Sequence, residues 1–189
     1  MPATDPSAST ATTPQRLEAA RRQRAQSIAA AGGLAAALEK GVLPNRLDTT
    51  LAEALILGLL RQQVRTFLCV LGHGSTEIGE VLRLYQEAGL LRCVGLRSEI
   101  EASHAAAALR WVRGEKAAVV TSIGPGALQA LAASIAPGSD GIGVWYLFGD
   151  ETTEDEGPNM QQIPKHEQNT YLQLCATWDG PTPCIPPWR

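Results

Sequence analysis

Uninterrupted apolar runs alternate with amphipathic segments of helical length through the middle of the chain. The apolar runs predict four strands, at residues 66–71, 91–96, 116–123 and 141–148. Between the first two runs, apolar residues recur three and four positions apart, as in an amphipathic helix: Ile78, Val81, Leu82 and Tyr85. Strands that are apolar throughout are buried on both faces. The pattern therefore predicts an α/β fold in which a parallel β-sheet is flanked by helices on both faces.

The two ends of the chain differ in composition from this alternating region. The N-terminus is rich in Pro, Ser and Thr and poor in large apolar residues, which predicts disorder. An Ala-, Leu- and Arg-rich stretch follows, and Gly32 and Gly33 divide it into two short predicted helices. A further helix is predicted at residues 163–174. We therefore expect a disordered N-terminus, a helical extension, an α/β domain and an irregular Pro-rich tail, at residues 1–15, 16–45, 46–178 and 179–189.

Composition and charge exclude several functional classes. Hydrophobic residues make up 44% of the 189 residues and charged residues 19%, with a net charge of −3, as in ordinary globular proteins. The chain has no basic excess that would indicate a nucleic-acid partner. It has no apolar run long enough to span a membrane, so we expect a cytoplasmic protein. The four cysteines lack CxxC spacing, which predicts no metal site in this chain and buried free thiols at Cys69 and Cys93.

Ligands bind open parallel sheets at the carboxyl ends of the strands, where loops lead into helices. The first such loop, LGHGSTE, contains Gly72 and Gly74, which permit close backbone approach, with His73 between them. Ser75 or Thr76 is expected to cap the helix that follows. The loop has neither GxGxxG nor GxxxxGKS/T spacing, so the sequence disfavours a nucleotide-binding, flavodoxin-like domain.

Two further loops carry candidate residues. Glu99 falls where the second strand leads into a helix, and taken alone it is a first-turn carboxylate that complements the helix dipole. Glu101 points elsewhere on that helix, and His104, among alanines, is expected to be a packed core histidine. The Gly-Pro-Gly turn at residues 124–126 follows the third strand and carries almost no side chains. A flat group or another backbone segment can therefore approach this turn closely.

These last two segments together resemble the pyrimidine-binding domain of the thiamine-diphosphate-dependent enzymes, in the branch that contains acetolactate synthase and trihydroxycyclohexanedione hydrolase. The resemblance rests on Glu99 at a helix start, His104 five residues later with alanines after it, and Thr-Ser-Ile-Gly-Pro-Gly at residues 121–126. The Gly-His-Gly turn at residues 72–74 and the glutamine pair at residues 161–162 are similar to the hydrolases. The resemblance extends from about residue 49 to residue 178.

The resemblance implies a role for each matching residue. In this family the glutamate hydrogen-bonds a ring nitrogen of the cofactor's aminopyrimidine and favours removal of the thiazolium C2 proton, which makes Glu99 the catalytic residue. A carboxyl group suits this role where burial raises its pKa; the helix N-terminus acts in the opposite direction, so a dry pocket is expected. The implied cofactor-binding residues are Gly72, His73, Gly74, Glu99, Ser122, Gly124, Pro125 and Gly126. The implied substrate-binding residues are His73, Gln161 and Gln162.

Members of this family also need a second domain that binds Mg²⁺ and the diphosphate, usually through a Gly-Asp-Gly sequence. This chain contains no Gly-Asp-Gly and is short for a full enzyme of this branch. The resemblance therefore implies a split enzyme, in which a separate diphosphate-binding subunit holds most of the Mg²⁺ site within a heterotetramer or larger assembly. The helical extension, around residues 16–40, either docks on that subunit or packs on its own domain.

The implied chemistry makes or breaks a C–C bond next to a carbonyl group. Decarboxylation or carboligation of a small 2-oxo acid is the first expectation, because it is the commoner chemistry in the class. Hydrolytic C–C cleavage of a cyclic 1,2-dione is the second expectation. A non-catalytic interaction domain of the same fold is the remaining alternative; it would need the glycines for shape but no carboxylate at Glu99.

Overall fold

A parallel sheet of four strands lies at the centre of the computed structural model, which describes residues 13–149. The strands are β1 (Thr66–Val70), β2 (Arg92–Gly95), β3 (Ala117–Thr121) and β4 (Trp145–Phe148). They lie in the order β2-β1-β3-β4, and Thr66 of β1 is aligned with both Arg92 and Ala117. The chain thus adds β2 on one side of β1 and later strands on the other. The strand order therefore reverses between β1 and β3, and their carboxyl ends form the switch point where such sheets bind ligands.

Seven helices occur within the described residues: α1 (Thr13–Ala31), α2 (Leu34–Glu39), α3 (Leu51–Arg61), α4 (Thr76–Glu87), α5 (Glu99–Arg113), α6 (Pro125–Ala133) and α7 (Ile135–Ser139). Capping residues set the ends of several of these helices. Thr50 caps α3 by accepting a hydrogen bond from the Glu53 amide, and Gly114 ends α5 in the left-handed conformation, at φ 67°. These local signals give the helices their correct lengths.

Helices cover both faces of the sheet, as predicted. On one face, α5 and α6 pack against alternate strand residues such as Leu68 and Val119. On the other face, the layer formed by α1 to α4 packs against the intervening residues, such as Phe67 and Val120. Both sets of residues are buried in the central strands β1 and β3, as their apolar sequences predict, and the predicted α/β class is confirmed.

The N-terminal helices pack on their own domain. The break at Gly32 and Gly33 is confirmed, but the prediction of two short helices is wrong for the first of them, because α1 runs for 19 residues and begins at Thr13. Its Ala25 and Ile28 are fully buried in the same core as the sheet. The predicted packing of the extension on its own domain is therefore observed, and its docking on a partner subunit stays a prediction.

A buried polar network joins α1 to the rest of the fold. The carboxylate of Glu53 in α3 is fully buried, forms an ion pair with Arg24 of α1, and accepts hydrogen bonds from Thr49 at 2.5 Å and Tyr85 at 2.8 Å. Burial alone would raise the pKa of Glu53, but these hydrogen bonds outweigh that effect and lower the pKa below its ordinary value. The network therefore favours a charged Glu53 in the core.

Several predicted features lie outside the described residues. They are the disordered N-terminus up to residue 12, the helix at residues 163–174 and the Pro-rich tail at residues 179–189. Among helices α1 to α7, none combines the length and the apolar character needed to cross a membrane.

Candidate functional site

The loops that follow β1 and β3 meet at the carboxyl edge of the sheet. The Ile123 amide donates a hydrogen bond to the His73 carbonyl oxygen at 3.1 Å. A side chain at Gly72 would place its Cβ only 2.9 Å from the Cβ of Ser122, closer than real Cβ contacts come. Glycine is therefore required at position 72 because the two loops pack through their backbones at the switch point.

The first loop is held in shape by Ser75. Its buried hydroxyl accepts a hydrogen bond from the Gly72 amide at 3.2 Å and donates to the Gly72 carbonyl at 3.1 Å. Ser75 does occupy the N-cap position of α4, but its side chain makes no capping hydrogen bond, so the predicted capping role is wrong. The hydroxyl instead closes the turn that contains His73, whose side chain is exposed, and Gly74, whose φ is 77°.

The Gly-Pro-Gly turn forms the sharp corner between β3 and α6. Gly124 has φ 63°, a conformation that favours glycine, and Pro125 occupies the first turn of α6. Gly126 is buried in that same turn. A side chain at Gly126 would place its Cβ 2.7 Å from both the Glu99 Oε1 and the Ser122 Oγ atoms. The absence of a side chain here leaves room for the Glu99 carboxylate.

Glu99 is the first residue of α5, and only 8% of it is exposed. Ser98 caps this helix by accepting a hydrogen bond from the Glu101 amide at 3.5 Å. Within residues 13–149, the Glu99 carboxylate makes no hydrogen bond or ion pair. So little exposure without a polar partner among the described residues is unusual for a carboxylate, since burying one is costly and the helix N-terminus compensates for only part of that cost.

The neighbours of Glu99 on α5 divide into buried and exposed residues. Ser103 is fully buried and donates a hydrogen bond to the Glu99 carbonyl oxygen at 2.9 Å, which braces the first turn of the helix. Glu101 is exposed, as its position two residues away predicts. His104 is also exposed, so its interpretation as a packed core histidine is wrong.

One residue of this edge was not predicted. Gly149, directly after β4, donates its amide hydrogen to the Thr121 carbonyl at 3.1 Å. A Cβ at Gly149 would lie 3.0 Å from the His73 carbonyl oxygen and from the Gly74 carbonyl carbon. A glycine that directly follows an apolar strand was the available sequence signal. Gln161 and Gln162, predicted to contact substrate, lie outside the described residues.

Three exposed apolar residues lie next to site residues along the chain. Leu71 in the first loop, Ile100 next to Glu99, and Leu128 near Gly126 are 45%, 42% and 44% exposed. Across residues 13–149, no cluster of three or more His, Cys, Asp or Glu side chains could hold a metal ion.

Comparison with known proteins identifies a family for most of the domain. The model of the family described as "Thiamine pyrophosphate enzyme, N-terminal TPP binding domain" matches residues 49–170, more than half of the chain. The match includes all three loops of the site. No curated protein sequence matches the chain.

Proposed function

Because this chain belongs to the thiamine pyrophosphate enzymes, with their N-terminal TPP-binding domain at residues 49–170, we propose that it is the subunit of a split enzyme that binds the cofactor's aminopyrimidine ring. Thiamine pyrophosphate, also called thiamine diphosphate, supplies the carbon nucleophile that makes or breaks C–C bonds next to carbonyl groups. The observation that carries the proposal is Glu99, an almost buried carboxylate that has no polar partner among residues 13–149. A nitrogen of the aminopyrimidine ring is the partner that this carboxylate lacks.

The residues around Glu99 fit a flat heterocyclic ring. Gly124 has no side chain that would prevent a ring from lying against its backbone, while the space beside Gly126 holds the Glu99 carboxylate and the Ser122 hydroxyl. Glu99 holds or releases a proton at its Oε atoms, where a buried carboxylate can exchange one with a ring nitrogen. Covering of the site by a partner subunit would exclude water and so strengthen that hydrogen bond. The residues proposed to contact the cofactor are Gly72, His73, Gly74, Glu99, Ser122, Gly124, Pro125 and Gly126.

A second subunit is proposed to bind Mg²⁺ and the diphosphate. The sequence has no Gly-Asp-Gly to perform this task. The exposed Leu71, Ile100 and Leu128 lie one or two positions along the chain from Gly72, Glu99 and Gly126, and such a subunit would cover them and bring the diphosphate next to Glu99. The assembly is then a heterotetramer or larger, with the active site between the two kinds of subunit.

The substrate is proposed to be a small 2-oxo acid, which the assembled enzyme decarboxylates or joins to a second carbonyl compound. Hydrolytic cleavage of a cyclic 1,2-dione is the second candidate. It is favoured by the Gly-His-Gly turn at residues 72–74 and by the glutamine pair at residues 161–162, which are similar to the hydrolases. In either reaction His73, Gln161 and Gln162 are the proposed substrate contacts.

Calorimetry with thiamine diphosphate and Mg²⁺ tests the proposal. The titrations use this chain alone, and then the chain mixed with the product of an adjacent reading frame that carries Gly-Asp-Gly. We expect tight binding by the mixture only, and turnover of pyruvate or another 2-oxo acid by that mixture. Turnover of a cyclic dione instead would select the second reaction. A mixture that neither associates nor binds the cofactor would contradict the proposal and leave a non-catalytic interaction domain.

The substitution Gly126→Ala tests whether the position of the Glu99 carboxylate matters. The new Cβ would meet the Glu99 carboxylate at 2.7 Å, and this flexible side chain must move away. The helix tolerates alanine well, since alanine is favoured over glycine by about 1 kcal/mol. We expect the variant to fold and associate normally but to turn over about tenfold more slowly, since small displacements of catalytic groups reduce rates strongly.

A matched control for this substitution is Gly58→Ala in α3. It makes the same change within a helix, and nothing lies within 4 Å of the new Cβ. Its turnover should equal that of the unmodified protein. If Gly126→Ala also has normal turnover, turnover does not depend on the position of the Glu99 carboxylate beside Gly126, and this prediction is wrong.

A further inference from the structure

Two thiols that the proposed function does not use are in contact beneath the site. The Sγ atoms of Cys69 in β1 and Cys93 in β2 lie 3.3 Å apart, and both cysteines are free. Cys69 is buried, with 3% exposed, as predicted; Cys93 is only half-buried, so its predicted burial is incomplete. The two residues thus form a pair in which one thiol can be reached from solvent and the other cannot.

Cys93 lies on the strand at one edge of the described sheet. Its backbone amide, which points away from β1, donates to the Gln86 Oε1 atom at 2.6 Å. This side chain occupies the hydrogen-bonding position that a further strand would need. Gln86 thus blocks strand addition at this position, and the partly exposed Cys93 remains in contact with solvent.

The contact between the thiols favours ionisation of the outer one. A hydrogen bond from Cys69 stabilises the Cys93 thiolate and lowers the pKa of Cys93 to about 7. The same interaction, with burial, raises the pKa of Cys69, which keeps its proton. At neutral pH the accessible sulfur is therefore the nucleophilic one.

We propose that Cys93 is a site of reversible thiol oxidation, at which a low-molecular-weight disulfide reacts and Cys69 completes the exchange. The Cys93 thiolate attacks one sulfur of the small disulfide, so that a protein–reagent S–S bond forms and the reagent's own S–S bond breaks, releasing one thiolate. Cys69 then loses its proton to water and attacks the Cys93 Sγ atom, releasing the second reagent thiolate. The net reaction oxidises the two protein thiols to a disulfide and reduces one small disulfide to two thiols.

Strand register makes this disulfide strained and therefore easily reduced. Cys93 is aligned with Phe67, and Cys69 is aligned with Gly95, so the cysteines are diagonal neighbours two positions apart. The sulfurs, now 3.3 Å apart, must approach to about 2.05 Å. Strained disulfides have high reduction potentials and belong to the labile, regulatory kind. The bond would therefore form under oxidising conditions and open again in reducing ones.

The strain acts on strands that lead into the site. Cys69 lies three residues before Gly72, and Cys93 lies six residues before Glu99. Drawing β1 and β2 together would shift both loops relative to the Gly-Pro-Gly turn, so we expect oxidation to slow turnover about tenfold, reversibly. This effect on turnover rests on the proposed function, whereas the thiol chemistry does not.

Mass spectrometry of the full-length chain, treated with oxidised glutathione at neutral pH, tests the thiol chemistry. Cys175 and Cys184 are first replaced by Ser, so that only the pair can react. We expect this protein to lose the mass of two hydrogen atoms and to regain it with dithiothreitol. The Cys69→Ala variant, which keeps an apolar side chain in the core, should stop at the glutathione adduct. The Cys93→Ser variant should react at least about tenfold more slowly.

Three results would overturn the proposal. The first is a pair that stays fully reduced under these conditions, and the second is a Cys93→Ser variant that reacts as fast as the protein with both cysteines. The third is a glutathione adduct that persists when Cys69 is present, because it would show that Cys69 does not complete the exchange. Turnover that is unchanged after disulfide formation would overturn only the link to the site. Failure of the chain to bind thiamine diphosphate with any partner would leave the mass measurements valid.

Discussion

Replacing Glu99 by Gln should reduce turnover by the assembled enzyme about a hundred- to ten-thousandfold, the range that a positioned acid–base group contributes. Glutamine has nearly the same shape as glutamate, but it cannot exchange a proton with a ring nitrogen. Glu99 has no hydrogen bond or ion pair within the described residues, so the substitution removes no structural contact of its side chain. The variant should therefore fold, associate with its partner and still bind cofactor.

Glu101→Gln is the matched control for this experiment. Glu101 lies in the same first turn of α5 and also interacts with the helix dipole, but its side chain is exposed. Steady-state kinetics should show normal turnover for Glu101→Gln and a fall in kcat for Glu99→Gln, with the melting temperatures of both close to that of the unmodified protein. Equal, small effects of the two substitutions would show that Glu99 is only a first-turn carboxylate.

The substitution Glu53→Gln should lower the free energy of unfolding by about 3 kcal/mol. It removes one charge of a buried ion pair and so leaves the other buried charge uncompensated. Glu53 is fully buried, and its ion pair with Arg24 connects α3 to α1. Arg21, which is also buried, lies 3.9 Å from the same carboxylate. Urea unfolding monitored by circular dichroism measures the change as a lower midpoint.

Glu18→Gln is the matched control for Glu53. Glu18 also bridges two arginines, Arg22 and Arg83, but all three side chains are largely exposed. Water and salt screen such pairs, so we expect no measurable change in the unfolding midpoint. If the two substitutions destabilise the protein equally, the buried network does not hold α1 in place.

The effect of Glu53 should depend on pH in a defined direction. Its pKa in the folded protein is lowered from the ordinary value of 4.5. The charged network therefore contributes its full stability above that value and loses it as pH falls through the lower, folded-state pKa. Unfolding measured at successively lower pH should show the difference between Glu53→Gln and the unmodified protein shrinking below about pH 4.5. A difference that stays constant in acid would contradict this assignment.

The strands and the start of α5 could be predicted from the sequence because their signals are local. An unbroken apolar run such as that of β3 indicates a strand buried on both faces, and the Gly-Pro-Gly turn directly after it permits the sharp corner that leads into α6. Glu99 was identified by its place after β2, together with the resemblance to a family. Its small exposed fraction and its contact with Gly126 were not predictable, because they depend on residues far apart in sequence.

The errors have the same origin. His104 was expected in the core, but it is exposed. The packing of α5 on β1 and β3 determines which side of the helix faces solvent. Ser75 was expected to cap α4, but its hydroxyl forms hydrogen bonds with the amide and the carbonyl of Gly72 instead. The contacts of Gly149 are not predictable from local sequence, because its neighbours, His73 and Gly74, come from a loop more than 70 residues earlier in the chain.

The sequence by itself determined the elements of this protein, since the periodicity of apolar residues and the positions of Gly, Pro and capping residues act within a few residues along the chain. Only the tertiary structure decided which loops meet. The order β2-β1-β3-β4 brings Gly72 against Ser122 and Gly126 against Glu99, and it brings Cys69 into contact with Cys93. Strand order and helix docking are set by packing between distant segments, and no local pattern in the chain encodes that packing.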